Sequence, residues 1–165
     1  MGESHRKSVK TVKEAIELKN IFQTLRSLEC WNGYQADVLE NDSEHTFLYF
    51  WSVSCGYCKE ILPAIQSFYE EMKNQVNVVG VHVPICEEDL DVSGIDKVIL
   101  SHKIVTPILL DHHHDLFAIF QMGFLPSFVL IHTSEDVVDK HIGYEHVQDW
   151  LAHLHSILAP VKSGN

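Results

Sequence analysis

The sequence contains little cysteine, little positive charge and no long apolar run. Four cysteines in 165 residues are too few for a small secreted domain held together by disulfides, and a chain of this length buries a core without such cross-links. Only 12 Lys and Arg stand against 23 Asp and Glu, and the net charge of -11 disfavours nucleic acid as a partner. No apolar run approaches the roughly 18 residues of a membrane-spanning helix, so we expect no membrane span.

The composition is otherwise that of a globular protein, with 45% hydrophobic and 21% charged residues, and it predicts one folded domain. The first 29 residues differ from the rest because six cations outnumber four acids there. Their apolar residues predict an amphipathic helix from about Val9 to Leu28, which packs on the acidic domain or, alternatively, contacts a partner or a membrane surface. We assign residues 1–33 to an N-terminal helical extension, 34–160 to the main domain and 161–165 to a frayed tail.

Strand and helix patterns alternate from residue 45 onward. Thr46–Trp51 is a short and almost wholly apolar run, which is typical of a strand buried on both faces. Helical spacing then extends to about Lys73, and a second buried run, Val76–Val83, ends at Pro84. A strand, a helix and a second strand in this order predict a parallel pair, so the expected fold class is α/β.

The later segments complete this pattern with a third strand and a hairpin. In chain order we expect a loop at 87–94, a short helix to about 102, a strand at 108–110, a helix at about 113–121, paired strands at 127–132 and 137–142, and a closing helix at 144–158. Asp111–Asp115 contains three consecutive histidines, but consecutive side chains point in different directions. We therefore interpret this run as a loop and expect no metal site.

The chemistry is concentrated in the sequence Cys55-Gly-Tyr-Cys58. A zinc site would need four ligands, and the other cysteines, Cys30 and Cys86, lie far away in sequence without a paired partner. Because the pair opens a helix directly after a buried strand, free backbone N–H groups and the positive end of the helix dipole stabilise a thiolate on Cys55. Cys55 is therefore the expected nucleophile on a disulfide, and Cys58, one turn deeper, is the expected resolving thiol.

Three features of the chain resemble a known family. The run Phe50–Glu60 (FWSVSCGYCKE), Pro63 and the hairpin proline Pro126 together resemble thioredoxin-fold thiol-disulfide oxidoreductases of the TlpA/ResA type. The resemblance extends over about Tyr34–Leu158. It implies a thioredoxin-like fold: a central mixed sheet flanked by helices, with an N-terminal helical extension, a TlpA/ResA-type insertion at about Glu87–Leu110, and no bound cofactor.

The resemblance also implies roles for residues around the cysteines. Pro63 looks like the proline that kinks the active-site helix, and Pro126 looks like the cis-proline of the family. The backbone of the residue before that cis-proline is then expected to pair with an extended substrate segment. The candidate substrate-binding residues are Leu125, Pro126, Gly56, Tyr57 and Trp51. For the tryptophan, packing in the core is the alternative.

Two positions depart from the related proteins in a way that bears on proton transfer. Thioredoxin carries a buried aspartate six residues before the first cysteine, where this chain has Tyr49. ResA-type proteins place a glutamate three residues after the second cysteine, where this chain has Ile61. Glu60 is one position away and is expected on the solvated face of the helix. The sequence therefore assigns no proton acceptor for Cys58.

The expected function is reduction of protein disulfides in the cytoplasm by a monomer, with an upstream dithiol as its reductant. The run Val78–Asp91 is similar to that of a cytosolic family member, and the N-terminal segment lacks the apolar run of a secretory signal. One alternative is an extracytoplasmic oxidoreductase that serves cytochrome maturation or disulfide repair, and another is a non-catalytic binding module. A thiol peroxidase is disfavoured because the Pro-x-x-x-Thr-x-x-Cys pattern is absent around Cys55.

Overall fold

A computed structural model describes residues 21–32, 39, 42–134 and 136–159. Three predictions fall partly or wholly outside these residues: the helix before residue 21, the boundary between residues 33 and 34, and the tail at 161–165. The described elements, in chain order, are α1 (Ile21–Ser27), β1 (Glu29–Cys30), β2 (His45–Trp51), α2 (Gly56–Met72), β3 (Asn77–His82), a 3-10 helix (Glu87–Leu90), α3 (Val92–Ser101), β4 (Ile108–Leu110), α4 (Asp115–Ile119), β5 (Ser127–His132), β6 (Val137–Ile142) and α5 (Val147–Leu158).

Within the described residues, six strands form one mixed sheet in the order β1-β4-β3-β2-β5-β6. The central strands β2, β3 and β4 are parallel to one another, whereas β5 runs antiparallel to β2 and β6 antiparallel to β5. The parallel strands are almost wholly buried because helices cover both faces of the sheet. The predicted α/β class and the thioredoxin-like mixed sheet are confirmed.

The two faces of the sheet bury separate apolar clusters. Alternate residues of β2 point to opposite faces, so that Phe47, Tyr49 and Trp51 pack with helices α2, α3 and α5. Leu48 and Phe50 pack on the other face with α1 and α4. Each face therefore has its own helical layer.

The described part of the predicted N-terminal extension belongs to this architecture. Ile21, Phe22 and Leu25 of α1 are buried on the second face, as expected for a helix packed on its own domain. Strand β1 follows directly and pairs antiparallel with β4, with Cys30 opposite Leu109. Residues 21–32 therefore cover one face of the sheet and extend one edge.

Three elements begin at residues other than those predicted from the sequence. The expected loop at 87–94 contains the 3-10 helix and the start of α3. Helix α3 begins this early because the Asp91 carboxylate accepts a hydrogen bond from the Ser93 N–H and caps α3. The expected helices at 113–121 and 144–158 both begin later, at Asp115 and Val147. In each case the residue before the helix is a histidine with a left-handed backbone, so the helix does not extend further toward the N-terminus.

None of the helices that the structure describes has the length and hydropathy needed to span a bilayer.

Candidate active site

The candidate site lies at the edge of the sheet where β2 and β3 end. These parallel strands finish in register at Trp51 and His82. Strand β5 starts at the same edge because Ser127 pairs with Phe50 in the antiparallel ladder. The carboxyl ends of parallel strands are where α/β folds place their sites, and here they bring the cysteine turn beside Pro126.

The two cysteines form a disulfide across the first turn of α2, with Cα atoms 5.2 Å apart. Cys55 is the N-cap residue, and the Cys58 N–H donates a hydrogen bond to its sulfur over 3.2 Å. Cys55 is half-buried, whereas Cys58 is fully buried. The positive end of a 17-residue helix therefore faces the accessible sulfur, which favours its thiolate in the reduced protein.

A second loop approaches the cysteine pair from β5 and β6. The Leu125–Pro126 peptide bond is cis, Pro126 is buried and Leu125 is half-buried. The Gly143 N–H donates to the Pro126 carbonyl over 2.8 Å and ties the end of β6 to this loop. The next residue, Tyr144, places its ring 5.0 Å from that of Tyr57, so the loop and the cysteine turn share one surface.

The predicted substrate-binding residues divide into exposed and buried ones. Gly56 and Tyr57 are exposed, and Tyr57 keeps 61% of its surface. Trp51 was predicted as a substrate contact, but it is only 1% exposed and packs against His82 with ring centroids 4.9 Å apart. The contact prediction for Trp51 is therefore wrong, and its alternative, packing in the core, is observed.

Tyr49 does not replace the missing proton acceptor. Its hydroxyl is buried and hydrogen-bonds to the Thr106 hydroxyl over 2.6 Å. Burial raises the pKa of the Tyr49 phenol well above its ordinary value, so the phenol stays neutral at pH 7. Glu60 is exposed, as predicted. Neither side chain is a buried carboxylate of the kind that thioredoxin uses.

Two polar residues missed from the sequence lie close to the cysteine turn. His82, at the end of β3, accepts a hydrogen bond from the Val53 N–H through Nε2 over 3.3 Å. Asp89, in the 3-10 helix, accepts one from the Ser54 N–H over 2.9 Å. The only signal in the sequence is a histidine at the end of a largely apolar strand. Nothing in the spacing links either residue to a turn some 30 positions earlier.

His82 is neutral at physiological pH. Its ring is fully buried, and burial together with repulsion from His112 lowers its pKa to about 4, although the nearby Asp89 acts in the opposite direction. Since Nε2 accepts a hydrogen bond, the proton of the neutral ring is on Nδ1.

Replacing His82 with glutamine is expected to flatten the pH dependence of stability. The folded-state pKa lies below the ordinary value of 6.5, so the unfolded chain takes up a proton first as the pH falls. The contribution of neutral His82 to the free energy of unfolding is fully present above about pH 6.5 and is lost toward pH 4. The loss is about 2 kcal/mol between pH 7 and pH 5. Urea unfolding at both pH values measures this loss. A His113→Gln control, at an exposed position, should keep it, and an equal loss in His82→Gln would contradict the assignment.

The other candidate ligands are used structurally or lie apart. Asp111 is buried and its carboxylate accepts the Leu116 and Phe117 N–H groups, which caps α4. His114 contacts the Pro84 carbonyl through Nε2 over 2.6 Å. Cys30 is a buried free thiol and Cys86 an exposed one. Within residues 21–32, 42–134 and 136–159, no three Cys, His, Asp or Glu side chains converge as metal ligands do.

The model of the AhpC/TSA family matches residues 24–140. The chain belongs to this family. It is 39% identical over 83 residues to the thiol-disulfide oxidoreductase YkuV of Bacillus subtilis, a match that covers 50% of this chain and 56% of YkuV. It is 29% identical over 112 residues to the thioredoxin-like protein SkfH of the same organism, covering 68% of this chain and 78% of SkfH.

Solved structures agree with these sequence matches. The solution structure of a thioredoxin-like protein in the oxidized form superposes with a TM-score of 0.65 at 30% identity, covering 71% of this chain and 79% of that one. The matched region spans little more than half the length of YkuV. The predicted resemblance is confirmed: the chain has the fold and the cysteine pair of thiol-disulfide oxidoreductases.

Proposed function

We propose that the protein reduces disulfides of other proteins by dithiol-disulfide exchange through Cys55 and Cys58. The observation that carries this proposal is the unequal burial of the two sulfurs at the start of one helix. Cys55 is half-buried at the N-cap, and Cys58 is fully buried behind it. A substrate can reach only the first sulfur, and the second is positioned to attack it afterwards.

The exchange proceeds in two displacement steps. In the dithiol form, the Cys55 thiolate attacks one sulfur of a substrate disulfide, and the other substrate sulfur leaves as a thiolate that takes up a proton. The Cys58 thiol then loses its proton and attacks Cys55, which closes the Cys55–Cys58 disulfide and releases the second substrate thiol. Two electrons pass to the substrate. An upstream dithiol must return two electrons to the protein before the next cycle.

An insulin reduction assay tests this direction of electron flow. With dithiothreitol as the upstream dithiol, we expect catalytic amounts of the protein to accelerate precipitation of the reduced insulin B chain. The reverse reaction, formation of disulfides in a reduced unfolded protein, should be slower at a cytosolic glutathione poise. If the protein accelerates only the reverse reaction, the proposed direction is wrong.

Protein substrates require a surface around the accessible sulfur, and the structure has an apolar one. Tyr57, Tyr144 and Phe124 are 61%, 40% and 71% exposed. Tyr57 and Tyr144 lie against each other, and Phe124 directly precedes the cis Leu125–Pro126 pair. Rigid aromatic side chains bind peptide segments at low entropic cost, so we place the substrate peptide here, with Leu125 and Pro126 on one side and Gly56 on the other.

Replacing Tyr144 with alanine is expected to raise the KM for a protein disulfide about fivefold and to leave kcat within about twofold. The ring contributes to the substrate surface but belongs to neither cysteine turn nor helix α2. Steady-state kinetics with insulin measure the effect. Leu100→Ala is the matched control because Leu100 is 75% exposed at the far end of α3. Equal KM values for the two variants would move the substrate surface elsewhere.

We further propose that the protein acts in the cytoplasm as a monomer. The support is its similarity to the cytosolic family member in the run Val78–Asp91. An alkaline phosphatase fusion tests the location, because that reporter gains activity only where disulfides form outside the cytoplasm. An active fusion would instead support the extracytoplasmic alternative.

A further inference from the structure

The turn that presents Cys55 is held mainly from outside. Residues 52–55 connect β2 to α2, and three successive N–H groups of this turn donate hydrogen bonds. The Val53 N–H donates to His82 Nε2 over 3.3 Å, and the Ser54 N–H donates to Asp89 Oδ1 over 2.9 Å. Only the Cys55 N–H bonds locally, to the Ser52 carbonyl over 3.1 Å. The position of the nucleophile therefore depends on side chains from β3 and from the 3-10 helix.

The Asp89 carboxylate is the centre of this arrangement. It is fully buried and also accepts hydrogen bonds from the Ser54 hydroxyl over 2.8 Å and from the Ile85 and Cys86 N–H groups over 2.9 and 3.3 Å. The Cys86 thiol approaches the same oxygen at 3.5 Å. One side chain thus joins the turn after β2 to the loop after β3. No Lys or Arg forms an ion pair with it in the part of the chain that the structure describes.

These donors keep the carboxylate ionised. Burial alone would raise the pKa of Asp89, but the hydrogen bonds that its carboxylate accepts from Ile85 and Ser54 outweigh burial and hold the pKa well below its usual range. Its titratable neighbours are His82 on β3 and Cys86 on its own loop, and His112 faces His82 from beyond β4. His82 is neutral at pH 7 and cannot compensate the charge. A full negative charge therefore lies against Ser54, the residue that precedes the nucleophile.

We propose that Asp89 is a positioning residue for thiol-disulfide exchange, which fixes the turn that presents Cys55 and opposes the helix dipole with a buried negative charge. This inference rests on the proposed role of Cys55 as nucleophile. The helix N-terminus favours the Cys55 thiolate, whereas a nearby carboxylate disfavours it. A less stable thiolate makes the dithiol form a stronger reductant, so Asp89 adjusts the pair toward reduction.

Asp89→Asn tests this role, with Asp91→Asn as the matched control. Both variants remove one negative charge from the same segment, but the Asp91 carboxylate is exposed and, among the described residues, accepts hydrogen bonds from Ser93 alone. Both are made in a Cys86→Ser background, which removes the exposed free thiol and keeps a hydroxyl donor for Asp89. The measurement is the equilibrium constant for reduction of the protein by dithiothreitol, together with titration of the Cys55 thiolate by its ultraviolet absorbance.

The expected result is a shift toward the dithiol of about tenfold for Asp89→Asn, equivalent to roughly 30 mV, with a lower pKa for Cys55. Asp91→Asn should stay within about twofold of the parent, and an equal shift in both variants would overturn the inference. If Asp89→Asn does not fold, Ser54→Ala decides. Loss of that hydroxyl leaves the carboxylate less compensated and should shift the equilibrium about twofold toward the disulfide, and no shift refutes the proposal. A parent protein that fails to exchange with dithiothreitol would instead refute the proposed function.

Discussion

Replacing Cys55 with serine is expected to lower the rate of disulfide reduction by at least about a thousandfold, to the rate of the uncatalysed exchange. A hydroxyl is not ionised at neutral pH and does not form a mixed disulfide, so the variant cannot carry out the first attack on the substrate disulfide. The fold should be unaffected because the two side chains are similar in size and Cys55 is only half-buried. Insulin reduction and circular dichroism measure the two quantities separately.

Cys58→Ser should fail at a different point from Cys55→Ser. The accessible thiol still attacks, but the resolving step is lost, so a mixed disulfide with the substrate accumulates up to one per protein molecule. Non-reducing electrophoresis and intact mass detect this adduct. Cys86→Ser, which alters an exposed thiol outside the pair, is the control and should turn over normally. A protein that binds substrate equally well with either cysteine replaced, and forms no adduct, would be the non-catalytic binding module.

Gly80→Ala is expected to lower the free energy of unfolding by about 3 kcal/mol. A Cβ atom at Gly80 would lie 2.5 Å from the Ile108 side chain and 2.6 Å from the Tyr49 ring, well inside contact distance. Both neighbours are buried and lie on strands β4 and β2, on either side of β3, so neither moves without disturbing the sheet. The glycine makes room for the tyrosine that stands where thioredoxin has its buried aspartate.

Gly94→Ala is the matched control and should change stability in the opposite direction. Its added Cβ would meet Val53 at 3.5 Å, an ordinary contact, and Gly94 lies in helix α3, where alanine is favoured by about 0.5 to 1 kcal/mol. Urea denaturation of both variants gives the comparison. A Gly80→Ala midpoint at or above that of the parent protein would show that Tyr49 and Ile108 repack freely.

The cysteine pair and its fold could be predicted because their signals are local. An apolar strand followed directly by Cys55 and a helical pattern indicates both the element order and the chemistry of a helix N-terminus. The mixed sheet is what the family resemblance implied, whereas the order of elements by itself predicted the parallel pair and the hairpin. Trp51 could not be placed by this reasoning, since a residue at the end of a buried strand is equally compatible with the surface and the core. Its ring packs against His82, which comes from the neighbouring strand.

The residues that hold the cysteine turn were missed because their contacts are not local. Asp89 bonds Ser54 across 35 positions, and His82 bonds Val53 across 29. The acidic segment around Asp89 has the composition of a solvated loop, and only the structure shows that this carboxylate turns inward. Strand β1 was missed for a related reason: a two-residue strand has no periodicity, and its pairing with β4 is fixed by the sheet.

The reduction potential of the Cys55–Cys58 pair tests the central claim most directly. The protein is equilibrated with dithiothreitol or glutathione buffers of known potential, and the fraction of dithiol is measured by alkylation and mass spectrometry. A reversible two-electron transition near about -270 mV, the value for thioredoxin, is the result expected of a reductase. A transition near about -120 mV would identify an oxidant, and a pair that forms no disulfide at any potential would contradict the catalytic account altogether.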